Sequence, residues 1–188
     1  MQPISSADIW RPIPWIALLT ALILAVPLVA MQFTAEVNWT AGDFIVAGGL
    51  LFVTGLAYAL TVHNRRDRIY RLGVGLALFA ALLLTWVNLA VGVIGDAGNP
   101  ANRMYVAVLA VGIGGAIFAR LRAAGMSRVL WAMAIVQASI AVIALVDPLG
   151  EASGRPLEIL LTNGFFVVLF VASGWLFHRA ARNGAGSA

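Results

Sequence analysis

Amides, hydroxyls and carboxylates are the side chains in this sequence whose placement invites chemistry. Thr85 and Asn88 lie within one apolar stretch and Gln137 near the middle of another. A side-chain amide in hydrocarbon needs partners, because its unpaired burial is costly. Thr85, Asn88, Gly92 and Gly95 follow one another at spacings of three, four and three, which predicts a polar, small face on one helix. Asn88 and Gln137 are candidates for a hydrogen bond across helices, either as glue or as the lining of a cavity for water or a ligand. Thr54, Tyr58 and Thr61 form a weaker face of the same kind. A second cluster occupies two connecting segments, with Glu36, Asn38, Trp39 and Asp43 in the first and Asp96, Asn99, Asn102 and Arg103 in the second. Carboxylates, amides and an aromatic ring suit a hard cation or a small polar ligand. No EF-hand spacing is present, however, and Asp43 and Asn99 are also placed to cap helices.

Absent residue types narrow the chemistry further. All twelve basic residues are Arg, there is no Cys, and the two His are His63 and His178. Without Lys there is no Schiff-base lysine, no Walker-type phosphate lysine and no lysine general base. Without Cys there is no thiol nucleophile, disulfide, thiolate metal site or iron–sulfur cluster. Two His cannot build a three-His metal site, and their position at helix ends favours an interfacial or helix-dipole role over a shared metal or haem. No Ser–His–Asp arrangement is legible, and no ionisable residue lies deep within an apolar stretch, which disfavours proton-driven transport. The sequence therefore predicts no catalytic residue, no cofactor and no metal.

The elements that must position these groups follow from composition. Of 188 residues, 62% are hydrophobic and only 11% charged, far from the balance of a soluble domain. Six apolar stretches, 12–33, 44–62, 72–95, 100–119, 129–146 and 157–177, each approach the roughly 20 residues that a helix needs to cross a bilayer. The fold class is all-α, a polytopic transmembrane bundle of six helices in a single domain over 1–182, with a disordered tail at 183–188. Thr40 and Asp43 have capping-box form before the second helix, Asn99–Pro100 opens the fourth, and Asp67 and Ser127 are candidate caps for the third and fifth. Asp147–Pro148 ends the fifth helix, and Pro156 with Glu158 opens the sixth. Trp10, Trp15, Trp131 and Trp175 cluster at one membrane boundary and Trp39 and Tyr105 at the other, as an aromatic belt, whereas Trp86 lies inside the third helix.

Ten of the twelve Arg fall in connections on one side, leaving Arg103 and Arg155 on the other. The positive-inside rule then puts both termini in the cytoplasm. Glu36, Asp43, Asp96, Asp147, Glu151 and Glu158 fall on the outer side, so the formal net charge of +4 is a dipolar arrangement and not a nucleic-acid footprint. The first stretch is read as a permanent helix, because it is longer than a signal-peptide core and no clear cleavage site follows it.

The segments Glu36-Val-Asn-Trp-Thr-Ala-Gly-Asp-Phe44 and Val87-Asn-Leu-Ala-Val-Gly-Val-Ile-Gly-Asp-Ala-Gly-Asn-Pro-Ala-Asn-Arg-Met-Tyr105 resemble a group of small uncharacterised bacterial integral membrane proteins, over about residues 33–146. The resemblance implies a bacterial inner membrane location and brings no activity and no catalytic residue. The expectation is a non-enzymatic accessory or interaction protein that binds a membrane partner, a second copy of itself or lipid. The alternatives are a small permease or channel for a neutral or weakly polar solute, lined by Thr85, Asn88 and Gln137, and an outer-surface enzyme using Glu36, Asp43 and Asp96.

Overall fold

The structure is a computed structural model and describes residues 11–146 and 156–185; Trp10, Asp147, Pro148, Glu151 and Arg155 lie outside them. The chain divides into two compact units, Met1–Asn64 and Arg65–Ala188. Six helices are long and apolar enough to cross a membrane.

The first unit contains α1 (Ile13–Ala30) and α2 (Ala41–Val62). In lipid the surroundings are as apolar as the side chains, so close packing holds the two helices together where burial from water would not. Gly55 of α2 lies so near α1 that a Cβ there would sit 2.8 Å from Ile16 Cγ2, and at Gly48 it would sit 3.2 Å from Leu24 Cδ1. No residue of α1 is buried. The start of α2 follows the capping-box expectation: Asp43 N donates to Thr40 Oγ1, while Thr40 N donates to Asp43 Oδ2 at 2.7 Å. Trp39, immediately before the cap, meets Phe44 edge to face at 5.2 Å, which closes a hydrophobic staple over the same turn.

The second unit contains α3 (Arg68–Ala90), a 3-10 turn (Pro100–Met104) running into α4 (Tyr105–Ala119), α5 (Ala123–Val146) and α6 (Pro156–Ala185). α6 packs against both α3 and α5, and α5 packs against α4. Along α6 the buried side chains are Ile159, Asn163, Phe166, Phe170, Ser173, Phe177 and Ala180. Their spacing alternates strictly between four and three, a coiled-coil seam of period 3.5. α5 answers with Met126, Leu130, Met133, Gln137, Ile140 and Ala144 at the same spacing. Ser173 donates from Oγ to the Gly73 carbonyl at 2.9 Å, and Phe177 meets Tyr70 edge to face at 5.2 Å, so α3 and α6 run antiparallel.

Adjacent glycines on α4 show how tightly α5 is seated. A Cβ on Gly115 would fall 2.6 Å from both Val129 methyl groups, whereas one on Gly114 would meet nothing within 4 Å. Val129 is stiff at χ1 and cannot swing away. Gly115→Ala is therefore expected to lower stability by about 1–3 kcal/mol through overpacking. Gly114→Ala is expected to raise it by roughly 0.5–1 kcal/mol through helix propensity. Thermal unfolding of the two variants in one detergent measures both signs; a common sign would overturn this account of the α4–α5 contact.

Several helix boundaries differ from the sequence expectation. The third helix ends at Ala90 rather than at 95, because Gly92 and Gly95 adopt positive φ of 82° and 66° and turn the chain out of the helix. The polar face of Thr85, Asn88, Gly92 and Gly95 is thereby cut short after Asn88. The fourth segment opens as a 3-10 turn, capped by Asn99 as expected, with Asn99 Oδ1 accepting from Ala101 N. The fifth helix begins at Ala123, so Ser127 is a buried interior residue and not its cap; Arg128 does not break the helix, and its Nε donates to the Ala124 carbonyl. The sixth helix continues through 183–185, into the stretch read as a disordered tail, since Arg179, Arg182 and Asn183 end the apolar run without breaking the backbone ladder. Asp67 caps α3 as expected, accepting from Ile69 N at 2.9 Å.

Candidate functional site

The polar centre of the second unit forms where α4, α5 and α6 meet. Gln137 projects from the α5 seam and Asn163 from the α6 seam, both fully buried at 0% and 1% exposure, and Tyr105 enters from the first turn of α4 at 1%. Asn163 Oδ1 accepts from the Tyr105 hydroxyl and from Gln137 Nε2, each at 2.9 Å. Asn163 Nδ2 donates to the Ile159 carbonyl one turn earlier on its own helix, also at 2.9 Å. That last bond fixes the orientation of the amide. With its nitrogen turned toward that carbonyl, Asn163 presents its oxygen to Tyr105 and Gln137, and Gln137 meets it with its NH2 group. Gln137 Oε1 is then left buried without a hydrogen-bond partner among the described residues.

The three intramembrane residues named from sequence therefore separate. Gln137 bonds to Asn163 and not to Asn88. The Thr85 hydroxyl donates to the Ala81 carbonyl of its own helix at 2.8 Å, the local back-bond that lets a hydroxyl sit in an apolar span. Asn88 Oδ1 is buried with no partner among the described residues. Asn163 was missed in the sequence. Its signal was present: it is an amide inside an apolar run, seated three and seven residues before Phe166 and Phe170 on the buried face. Tyr105 is corrected from belt residue to core residue, because its hydroxyl finds an acceptor inside the protein and needs no headgroup region.

The connecting segments read as an outer site are described unit by unit. In the first, Asp43 and Trp39 are engaged in the cap and staple of α2, while Glu36 and Asn38 are exposed. In the second, Asn102 is a buried hub. Its Oδ1 accepts from Val93 N at 3.0 Å and Ile94 N at 2.9 Å, and its Nδ2 donates to the carbonyls of Ile94 at 3.3 Å and Asp96 at 2.7 Å. All four hydrogen-bonding capacities of the amide are filled, which leaves none for a ligand. Asp96 Oδ1 accepts from Gly98 N, and Arg103 is exposed. Gly92 allows this knot: a Cβ there would collide with the Asp96 carbonyl and reach 2.7 Å from Asn102 Nδ2.

At the opposite end of the second unit, the turn between α4 and α5 passes through two residues of left-handed conformation, Arg120 and Leu121. The Leu121 carbonyl accepts from the Tyr70 hydroxyl at 2.7 Å and from Arg65 Nη2 at 3.5 Å, and the Arg65 guanidinium lies 4.8 Å from the centre of the Tyr70 ring. His178 stacks beside Trp131 with ring centres 5.8 Å apart, and Arg179 sits 4.1 Å over the Trp175 ring. No group of three or more His, Asp or Glu that could hold a metal ion occurs among the described residues.

No family model matches the chain, and comparisons with curated proteins and with solved structures find no match, so the resemblance of its two connecting segments gains no named relative, and what stands is a polytopic membrane protein with six helices of spanning length and composition.

Proposed function

We propose that this chain is a non-enzymatic accessory protein of a bacterial inner membrane, with both termini cytoplasmic, that docks a membrane partner through its outward helix faces. The observation that carries the reading is a set of three glycines, Gly49 on α2, Gly114 on α4 and Gly164 on α6, over which a Cβ would meet nothing within 4 Å. Glycine inside a helix costs stability relative to alanine, and among the described residues nothing packs onto these three. In lipid, such notches are where the backbone of another helix approaches closely. In the core, by contrast, Tyr105, Asn163 and Gln137 bond to one another.

Because the notches are open, Gly49→Leu, Gly114→Leu and Gly164→Leu are expected to leave the fold intact while blocking a docked helix. A photoreactive residue at exposed Ile113, next to Gly114, is expected to give one protein adduct of fixed mass in native membranes, and Gly114→Leu to remove it. Equivalent probes beside Gly49 and Gly164 complete the survey. Lipid adducts alone at all three positions would overturn the reading.

A small permease for a neutral solute is the second reading, and the buried, unpaired Asn88 Oδ1 and Gln137 Oε1 favour it. Proteoliposomes that swell in a neutral osmolyte, and stop swelling with Gln137→Leu, would support it over the first.

A further inference from the structure

The second unit gathers its positive charge at one end. Arg65, Arg66, Arg68 and Arg71 precede or open α3, Arg120 and Arg122 lie at the α4–α5 turn, Arg128 lies in the first turns of α5, and Arg179 and Arg182 lie near the end of α6. All of them are exposed. The contacts of Tyr70 and Arg65 with Leu121, and of Tyr70 with Phe177, bring these segments to the same end. The acidic residue among them, Asp67, is engaged in capping α3.

Within this rim one helix face has a more specific shape. Arg182, Arg179, Trp175, Val171 and Val168 succeed one another at spacings of three, four, four and three, which places them on a single stripe of α6. Arg179 is stacked on the Trp175 ring at 4.1 Å, so its planar fork is held in place before any ligand arrives. Below it the stripe is open and apolar: Trp175 is 48% exposed, Val171 45% and Val168 65%. Two guanidiniums stand at the head and a ring and two valines form the stem. That order of charge and hydrocarbon matches one anionic phospholipid, with its phosphate at the head and an acyl chain along the stem.

We propose that this stripe of α6 is a binding site for an anionic phospholipid, with Arg179 and Arg182 holding the headgroup phosphate and Trp175, Val171 and Val168 bedding an acyl chain. Gly164 lies one turn before Val168 on the same stripe, but the headgroup is held about four turns away at Arg179 and Arg182, so the site does not require a partner docked at that notch.

The test uses the full chain in nanodiscs of phosphatidylcholine doped with phosphatidylglycerol, followed by native mass spectrometry of the lipids retained. The wild-type protein is expected to retain phosphatidylglycerol over phosphatidylcholine. The double variant Arg179→Gln, Arg182→Gln is expected to lose that preference by about tenfold. Arg120→Gln with Arg122→Gln removes equal charge from the same rim and is expected to change it far less. Trp175→Leu keeps the apolar stem but frees the Arg179 fork and is expected to give an intermediate loss. Equal losses from both double variants would reduce the rim to a diffuse charge and overturn the site. Equal retention of the two lipids by the wild type, or displacement of phosphatidylglycerol by inorganic phosphate alone, would overturn it as well.

Discussion

Asn163→Ala is expected to lower the stability of the protein by about 3 kcal/mol. Hydrogen bonds between membrane helices average below about 1 kcal/mol each, because the separated helices find other partners. Asn163 differs in being shared. Its Oδ1 is the acceptor for both Tyr105 and Gln137, so its removal strands a hydroxyl and an amide NH2 in a core where neither is exposed. The cost of stranding buried donors, about 1–3 kcal/mol each, outweighs the modest gain that the intact bonds provide. The same reasoning fixes the control. Asn163→Leu combined with Tyr105→Phe and Gln137→Leu leaves no donor behind and is expected to recover most of the loss. Near-ultraviolet circular dichroism during thermal unfolding in detergent measures all of these variants. A triple variant as unstable as the single one would show that volume, and not hydrogen bonding, sets the role of Asn163.

Asn102→Ala is expected to open the segment between α3 and α4. One amide there satisfies the backbone of Val93, Ile94 and Asp96, and Ile94 is fully buried beneath it. Truncation leaves two amide N–H groups and the Ile94 carbonyl without their partner, while the Asp96 carbonyl keeps its bond from Asn99 N. The segment lies at the end of the bundle, where water can reach the freed groups once it opens. The effect therefore falls on local opening, by about 3 kcal/mol or roughly a hundredfold in exchange rate. Hydrogen–deuterium exchange at Val93 and Ile94 reads it directly, with the amides of Leu84 and Leu130 as references in the helix interiors. Unchanged protection at Val93 and Ile94 would refute the role of Asn102 as a hub.

Much of this was legible in the chain because it is local. Six apolar runs of spanning length, the Thr40–Asp43 capping box and the caps at Asp67 and Asn99 depend on neighbours within a few residues, and the structure carries each of them. The end of the third helix was misread because Gly92 and Gly95 look like small apolar residues on a hydropathy count, although their value to the fold is a positive φ. Ser127 looked like a cap because serine favours that position, but α5 begins at Ala123, directly after the tight left-handed turn at Arg120 and Leu121. The polar centre was half legible. Gln137 stood out as an amide in an apolar helix, but its partner was set by how the seams of α5 and α6 mesh, a long-range choice that spacing along one helix cannot encode. Asn102 was read as a surface ligand because its neighbours in sequence are polar. It is buried because the chain folds back over it.

The length of α6 has a mechanical consequence. Its 30 residues extend about 45 Å at 1.5 Å per residue, against about 30 Å of hydrocarbon. The 15 residues of α4 reach only about half as far. A rod this long, locked to α3 and α5 along its seam, carries its final turns beyond the bilayer without a hinge. Those turns move only as the whole unit moves. A thinner membrane tilts the rod and a thicker one draws it upright, so a spectroscopic label at Arg182 turns α6 into a gauge needle for bilayer thickness.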